Sequence, residues 1–282
     1  MIEFDLMYHF KRLCQKIYHF DFVVDDSKQF SRSFEQFQKM YLCLSQKNGF
    51  DRLFGRFFTN KELDDNIKDF VAEMVIAYSI ASKAPKAKIS YEPNCDIKGN
   101  NRPPDLKINF ETKTVYIQIK RMAKSISYQT NLTEYGDNGM MIAFDDINQI
   151  VGALNKATRF IPQNNDDIFI IAQLIPDNIP SSNIEFAEAL YGREITLISP
   201  ITKEIILQRI NVDVNNCKQD GGFFYSATGK RVDAYIKATE TNGIFSPYNF
   251  EMFINDQKES DKSPIYDLID ISDTYNSKTY FE

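Results

Sequence analysis

The stretch PPDLKINFETKTVYIQIKR, Pro103 to Arg121, decides how the chain is read. Two short runs, DLKINF and TVYIQIK, alternate apolar and polar residues across the connection Glu111-Thr112-Lys113. A period of two marks a half-buried strand, so the stretch predicts a β-hairpin. Alternation also assigns faces. Leu106, Ile108 and Phe110 point one way and Asp105, Lys107 and Asn109 the other. On the second strand Val115, Ile117 and Ile119 oppose Tyr116, Gln118 and Lys120. With both apolar faces in one core, Asp105 lies on the same side as Gln118 and Lys120, and these three become candidates for chemistry.

Upstream, KISYEP repeats the two-residue period and joins the hairpin through Gly99-Asn100-Asn101-Arg102, which predicts a three-strand meander. Residues 1 to about 84 carry the helical period instead, in FKRLCQKIYHF, SFEQFQKMYLCLSQ and ELDDNIKDFVAEMVIAYSIASKA. Asn60 is placed to cap the last helix and Pro85 to stop it. Within it Glu73 has Phe70 three residues before and Ile76 and Ala77 three and four after. That position is beside the apolar face, where a carboxylate needs a cationic partner or a wet polar site.

Downstream, a polar loop runs from about 123 to 143. DDINQIVGALNKATRF then returns to helical spacing with Asp145 or Asp146 as its cap, and DIFIIAQLI is an apolar run of strand length, the pattern of a strand covered on both faces. The order helix, three strands, helix, strand predicts an α/β core over 60–176, a mixed central sheet flanked by helices. Residues 1–59 form an N-terminal helical region. Residues 177–282 read as a C-terminal α+β extension, with a helix at SNIEFAEALYG, strands at EITLIS, EIILQRINVDV, GFFYSA and RVDAYIKA, and a loosely ordered tail from about Asn255.

The 282 residues are 43% hydrophobic and can bury a sizeable core. Net charge is -6 and the pI about 5.2, so no global basic field advertises nucleic acid or an anionic membrane. Cys14, Cys43, Cys95 and Cys217 form no CxxC pair, which argues against a zinc cluster and a disulfide framework. With no signal-like N-terminus and no long apolar run, the expectation is a cytoplasmic protein with no membrane partner. His9 and His19, the two histidines, sit in aromatic helical segments and read as packed or surface residues rather than catalytic ones. GGFFYSATGKR lacks the spacing and the Ser or Thr of a phosphate-binding loop.

A helix with an inward Glu, a strand opening on Pro-Asp, and a strand ending in an acid-x-Lys pattern resembles the core of the PD-(D/E)xK nuclease superfamily. The matching positions are Glu73, Pro104-Asp105 and Gln118-Ile119-Lys120, and the resemblance covers about residues 60 to 176. It departs from the family pattern at Gln118, which stands where an acid is usual and brings no negative charge, although Gln at this position is known within the superfamily. The resemblance implies a restriction-endonuclease-like fold and a metal-dependent nuclease, with Mg²⁺ or Mn²⁺ as cofactor. It implies Asp105 as the central metal ligand, completed by Gln118 and the Ile119 carbonyl. Lys120 would orient or activate water, and Glu73 would hold metal-bound water or a second cation. Double-stranded DNA is the implied partner, and double-strand cleavage favours a homodimer.

Local charge agrees with a phosphate partner. Between Lys83 and Lys124 ten basic residues face four acidic ones, a local +6 that leaves -12 for the rest of the chain. Lys98, Arg102, Lys107, Arg121 and Lys124 are the candidates for contact with a nucleic-acid backbone, and Tyr116 for a base or sugar. Two competing readings stand beside the nuclease. One is a non-catalytic nucleic-acid-binding or assembly protein on the same fold, suggested by Gln118. The other is an unrelated α/β interaction protein, supported by the acidic total charge.

Overall fold

The computed structural model describes residues 2–18, 28–59, 67–93, 103–110, 113–122, 132–134, 140–142, 146–162, 166–175, 182–198, 205–210, 222–241, 245 and 248–277. The expected caps Asn60 and Asp145, and Cys95 and Cys217, lie outside them.

Helices α1 (Ile2–Tyr18), α2 (Lys28–Leu44) and α3 (Phe50–Thr59) precede α4 (Ile67–Lys83). Helix α4 is apolar over most of its circumference, burying Ile67, Val71, Ala72, Met74, Val75, Ile76, Ala77, Ile80 and Ala81. Such a helix must be covered on more than one side. Helix α4 meets that need by packing against both α2 and the sheet. The meander follows as β1 (Lys88–Tyr91), β2 (Leu106–Phe110) and β3 (Lys113–Arg121), then a short hairpin of β4 (Leu132–Glu134) and β5 (Met140–Ile142), then α5 (Asp146–Ala157) and β6 (Ile168–Ile175). All eight residues of β6 are buried, as a strand apolar at every position but Gln173 requires at the centre of a sheet.

The remaining elements are α6 (Asn183–Tyr191), β7 (Arg193–Ile198), β8 (Ile205–Ile210), β9 (Ala234–Thr239), β10 (Asn249–Ile254), α7 (Ser263–Leu268) and β11 (Ile271–Tyr275). Helix α6 opens on a capping box, Ser182 with Glu185. The main sheet has seven strands in the order β1-β2-β3-β6-β9-β10-β11. Strands β1, β2 and β3 are antiparallel, β3, β6 and β9 are parallel, β9 and β10 are antiparallel, and β10 and β11 are parallel.

Both faces of the sheet are covered. Ile117, Ile119, Ile170, Ala172 and Ile236 share one core with α1–α4 and α7, whereas Tyr116, Phe169, Ile171, Tyr235 and Phe253 share another with α5 and α6. The architecture is therefore α/β, a mixed sheet between helical layers. On the α5 and α6 face one register level is polar: Lys120, Gln173 and Lys237 are sheet neighbours, and Lys237 pairs with Glu251. Lys237 Nζ is 3.1 Å from Glu251 Oε2 and donates to Asn183 Oδ1 at 2.7 Å, while Asn183 Nδ2 donates to Glu251 Oε1 at 2.6 Å.

Several expectations need correction. The segment read as a C-terminal extension supplies three of the seven strands, so the sheet does not end at 176. The tail expected to be loose from Asn255 instead holds α7 and β11, the latter hydrogen-bonded to β10. GFFYSA is not a strand: Phe223–Tyr225 forms a 3-10 turn, closed by Ser226 Oγ, which donates to Phe223 O and accepts from Gly229 N. Among the described residues strands β7 and β8 pair only with each other, and the loop expected at 123–143 contains the β4–β5 hairpin. No described helix is long and apolar enough to cross a membrane.

Candidate active site

The candidate site forms where β1, β2 and β3 meet α4. Register places Leu106 opposite Ile117, which leaves Asp105, one residue before β2, beside Gln118. Gln118 Nε2 donates to Asp105 Oδ2, and the same oxygen accepts from the Ile119 backbone N–H at 2.6 Å. Across the other edge of β2, the Glu92 N–H donates to the Asp105 carbonyl at 2.8 Å, fixing the backbone on which the carboxylate is mounted. Lys120 follows on the same face of β3 as Gln118, with Nζ 5.2 Å from the centre of the Phe160 ring. Glu73 reaches the site from α4, where its Oε2 accepts from Tyr91 Oη at 2.6 Å.

Glu73 and Asp105 are surrounded by protein atoms yet keep part of their surface open to solvent, as groups at the floor of a cleft do. Burial pushes the Asp105 carboxyl up to about 6 and the charge of Glu92 adds to the rise, against the opposing pull of Lys120, the Ile119 N–H and Gln118. Glu73 is raised well above the usual carboxylate range, first by burial and then by the negative charge of Asp105, although the Tyr91 hydroxyl opposes the rise. Two carboxylates that resist being ionised together form a site whose negative charge a cation would relieve.

The residues fit a hard divalent cation on a second ground. Gln118 is 1% exposed, and its Oε1 is buried without a hydrogen-bond partner. A buried carboxamide oxygen left unpaired is costly, and an oxygen ligand position for Mg²⁺ or Mn²⁺ gives it a partner. Turning the amide would aim that oxygen at the same space as the Asp105 carboxylate, an arrangement that is repulsive unless a cation lies between them. Among the described residues no group of three or more His, Cys, Asp and Glu side chains is arranged to hold a metal, so the available donors are Asp105, Glu73, the Gln118 amide and the Ile119 carbonyl.

The expected nucleic-acid contacts fare differently. Lys107 lies with Nζ 5.6 Å from the Tyr116 ring centre. Tyr116 is 6% exposed and belongs to the α5 and α6 core, so its ring is packing and has no open face to stack on a base. Arg121 is partly buried, 4.0 Å from Asp69 of α4. Lys98, Arg102 and Lys124 lie outside the described residues.

Sequence reasoning missed four residues of the site wall: Arg52, Arg56, Tyr91 and Glu92. Arg56 Nη1 donates to Tyr91 Oη at 3.0 Å, and Nη2 lies 2.8 and 2.9 Å from the two Glu92 carboxylate oxygens. Arg52 donates to the carbonyls of Tyr91 and Glu92, both at 2.8 Å. The available signal was Tyr91-Glu92-Pro93, a polar pair at the end of a strand that leads into the hairpin. No known family model matches this chain, and it has no significant match among curated proteins or solved structures.

Proposed function

We propose that the chain is a metal-dependent nuclease of the restriction-endonuclease-like type, hydrolysing phosphodiester bonds in double-stranded DNA. The observation that carries this reading is the gathering of Glu73 from α4 and of Gln118 and Lys120 from β3 around Asp105 at the entry to β2, with Glu73 and Asp105 partly open to solvent. The order α4, β1-β2-β3, α5, β6, with β3 and β6 parallel neighbours, supports the fold half of the proposal.

Asp105, Gln118 Oε1 and the Ile119 carbonyl would hold Mg²⁺ or Mn²⁺, with Glu73 as the second carboxylate. When bound, the cation lowers the pKa of a water ligand and neutralises charge on phosphoryl oxygens. The chain's own groups do the rest. The Ile119 N–H fixes the Asp105 carboxylate in place, and in the metal-free protein Gln118 Nε2 donates to the same oxygen. The Lys120 ammonium, on the same sheet face, stabilises charge developing on the scissile phosphate. Glu73 orients water in the cleft through the oxygen that Tyr91 does not occupy.

A second reading, a nucleic-acid-binding or assembly module without catalysis, is favoured by the neutral Gln118 at a position where an acid is usual. Purified protein incubated with supercoiled plasmid, linear duplex, single-stranded DNA and RNA, each with Mg²⁺, Mn²⁺ or EDTA, separates the two. Metal-dependent cleavage of duplex supports the nuclease; binding that persists in EDTA without cleavage of any substrate supports the module.

A further inference from the structure

We infer that Arg56 and Tyr91 are positioning residues that aim Glu73 into the cleft, and that the N-terminal helical region is therefore part of the metal site. The inference rests on the metal-centre reading above. Its basis is a directional chain of hydrogen bonds. A guanidinium can only donate, so the contact from Arg56 Nη1 makes the Tyr91 hydroxyl oxygen the acceptor and leaves the hydroxyl hydrogen for Glu73 Oε2. One oxygen of Glu73 is thereby committed to Tyr91, and Oε1 is the atom that can be presented to the site. Second partners of this kind fix the orientation of metal-binding groups.

Arg56 is itself held on three sides. It forms a two-pronged contact with the Glu92 carboxylate, and its guanidinium lies 5.2 Å from the Phe70 ring centre and 5.9 Å from that of Tyr91. Glu92 in turn has a positive φ of 40°, a conformation uncommon outside glycine that requires support from its surroundings. Arg52 supplies that support through its bonds to the Tyr91 and Glu92 carbonyls. The turn that leads into α3 also approaches β1 closely: at Gly49, φ 81°, an added Cβ would stand 2.3 Å from the Tyr91 carbonyl oxygen. A region that only covered the sheet would need apolar contacts there, whereas this one delivers two arginines to the end of β1.

Mn²⁺ binding to the full-length protein, measured by titration calorimetry and by the electron paramagnetic resonance of free Mn²⁺, tests the inference without relying on cleavage. Tyr91→Phe keeps the ring and removes the hydroxyl, and is expected to weaken Mn²⁺ binding about 10- to 100-fold. Arg56→Gln, on a partly exposed helix face, is expected to shift affinity in the same direction. In a Glu73→Gln background neither change has a further effect, because the group they position is gone. An unchanged affinity in both single variants overturns the inference, and so does an equal loss with and without Glu73, which is what a merely structural role produces. If Tyr91→Phe does not fold, Arg56→Gln with and without Glu73→Gln decides alone. Asp105→Ala separates the two levels. Retained binding in that variant overturns the metal-centre reading and this inference with it; lost binding together with unaltered Tyr91 and Arg56 variants overturns the positioning role only.

Discussion

Asp105→Asn should make the metal-free protein more stable at neutral pH while removing the group on which the site depends. The wild-type carboxyl is held up to about 6 in the folded chain, against an ordinary value of 3.8. Between those two values the folded state carries a proton that the unfolded state has released, so stability falls as pH rises. The shift is roughly 2 units, or about 3 kcal/mol at about 1.4 kcal/mol per unit. Asparagine is neutral throughout and escapes this loss. Its Oδ1 can still accept from both the Ile119 N–H and the Gln118 amide, which meet on one oxygen of the carboxylate. Unfolding entropy for 282 residues is about 0.6 kcal/mol/K, so the advantage corresponds to about 5 °C in Tm. Calorimetry in EDTA at pH 4, 5, 6 and 7 should show the two proteins converging at pH 4 and the variant drawing ahead up to pH 6, with little change above. Saturating Mn²⁺ should then raise the wild-type Tm and leave the variant's unchanged. A variant less stable than wild type at pH 7, or a difference that does not change between pH 4 and 6, would refute the reasoning.

Other expectations follow from single contacts. Gln118→Glu adds the missing negative charge and should lower the Mn²⁺ or Mg²⁺ concentration for half-maximal cleavage; an unchanged requirement counts against Gln118 as a ligand. Glu251→Ala leaves the Lys237 ammonium buried without its carboxylate, beside Asn183 and the Phe186 ring, and urea unfolding should show a loss of about 3–5 kcal/mol. Replacing Lys237 by Met in the same chain should recover much of that loss, and failure to do so would place the stabilisation outside the ion pair.

The meander and α4 were legible because their evidence is local. Alternation in KISYEP, DLKINF and TVYIQIK fixes faces within a few residues, and α4 shows its burial in composition alone. What lay hidden was non-local. Strand β9 joins the sheet beside β6 from some sixty residues away, tied in part by the buried Asp233 carboxylate, which accepts from the Phe169 N–H at 2.8 Å. Such pairing leaves no periodic trace in either segment. The aromatic GFFYSA has a strand's composition, yet Ser226 and Gly229 close it into a 3-10 turn. At the site, alternation was enough to place Asp105 beside Gln118. Tyr91 was visible as the end of a strand, but Arg56 lies 35 residues earlier and meets it only through the packing of α3 on β1.

The central claim is that Asp105 and Lys120 serve a metal-dependent hydrolysis in one cleft. Conversion of supercoiled plasmid to open or linear forms in Mn²⁺, by wild type and by Asp105→Asn and Lys120→Met variants verified as folded, tests it most directly. The account predicts cleavage by wild type that EDTA stops and that both variants lose. Metal-dependent cleavage retained by both variants would contradict it.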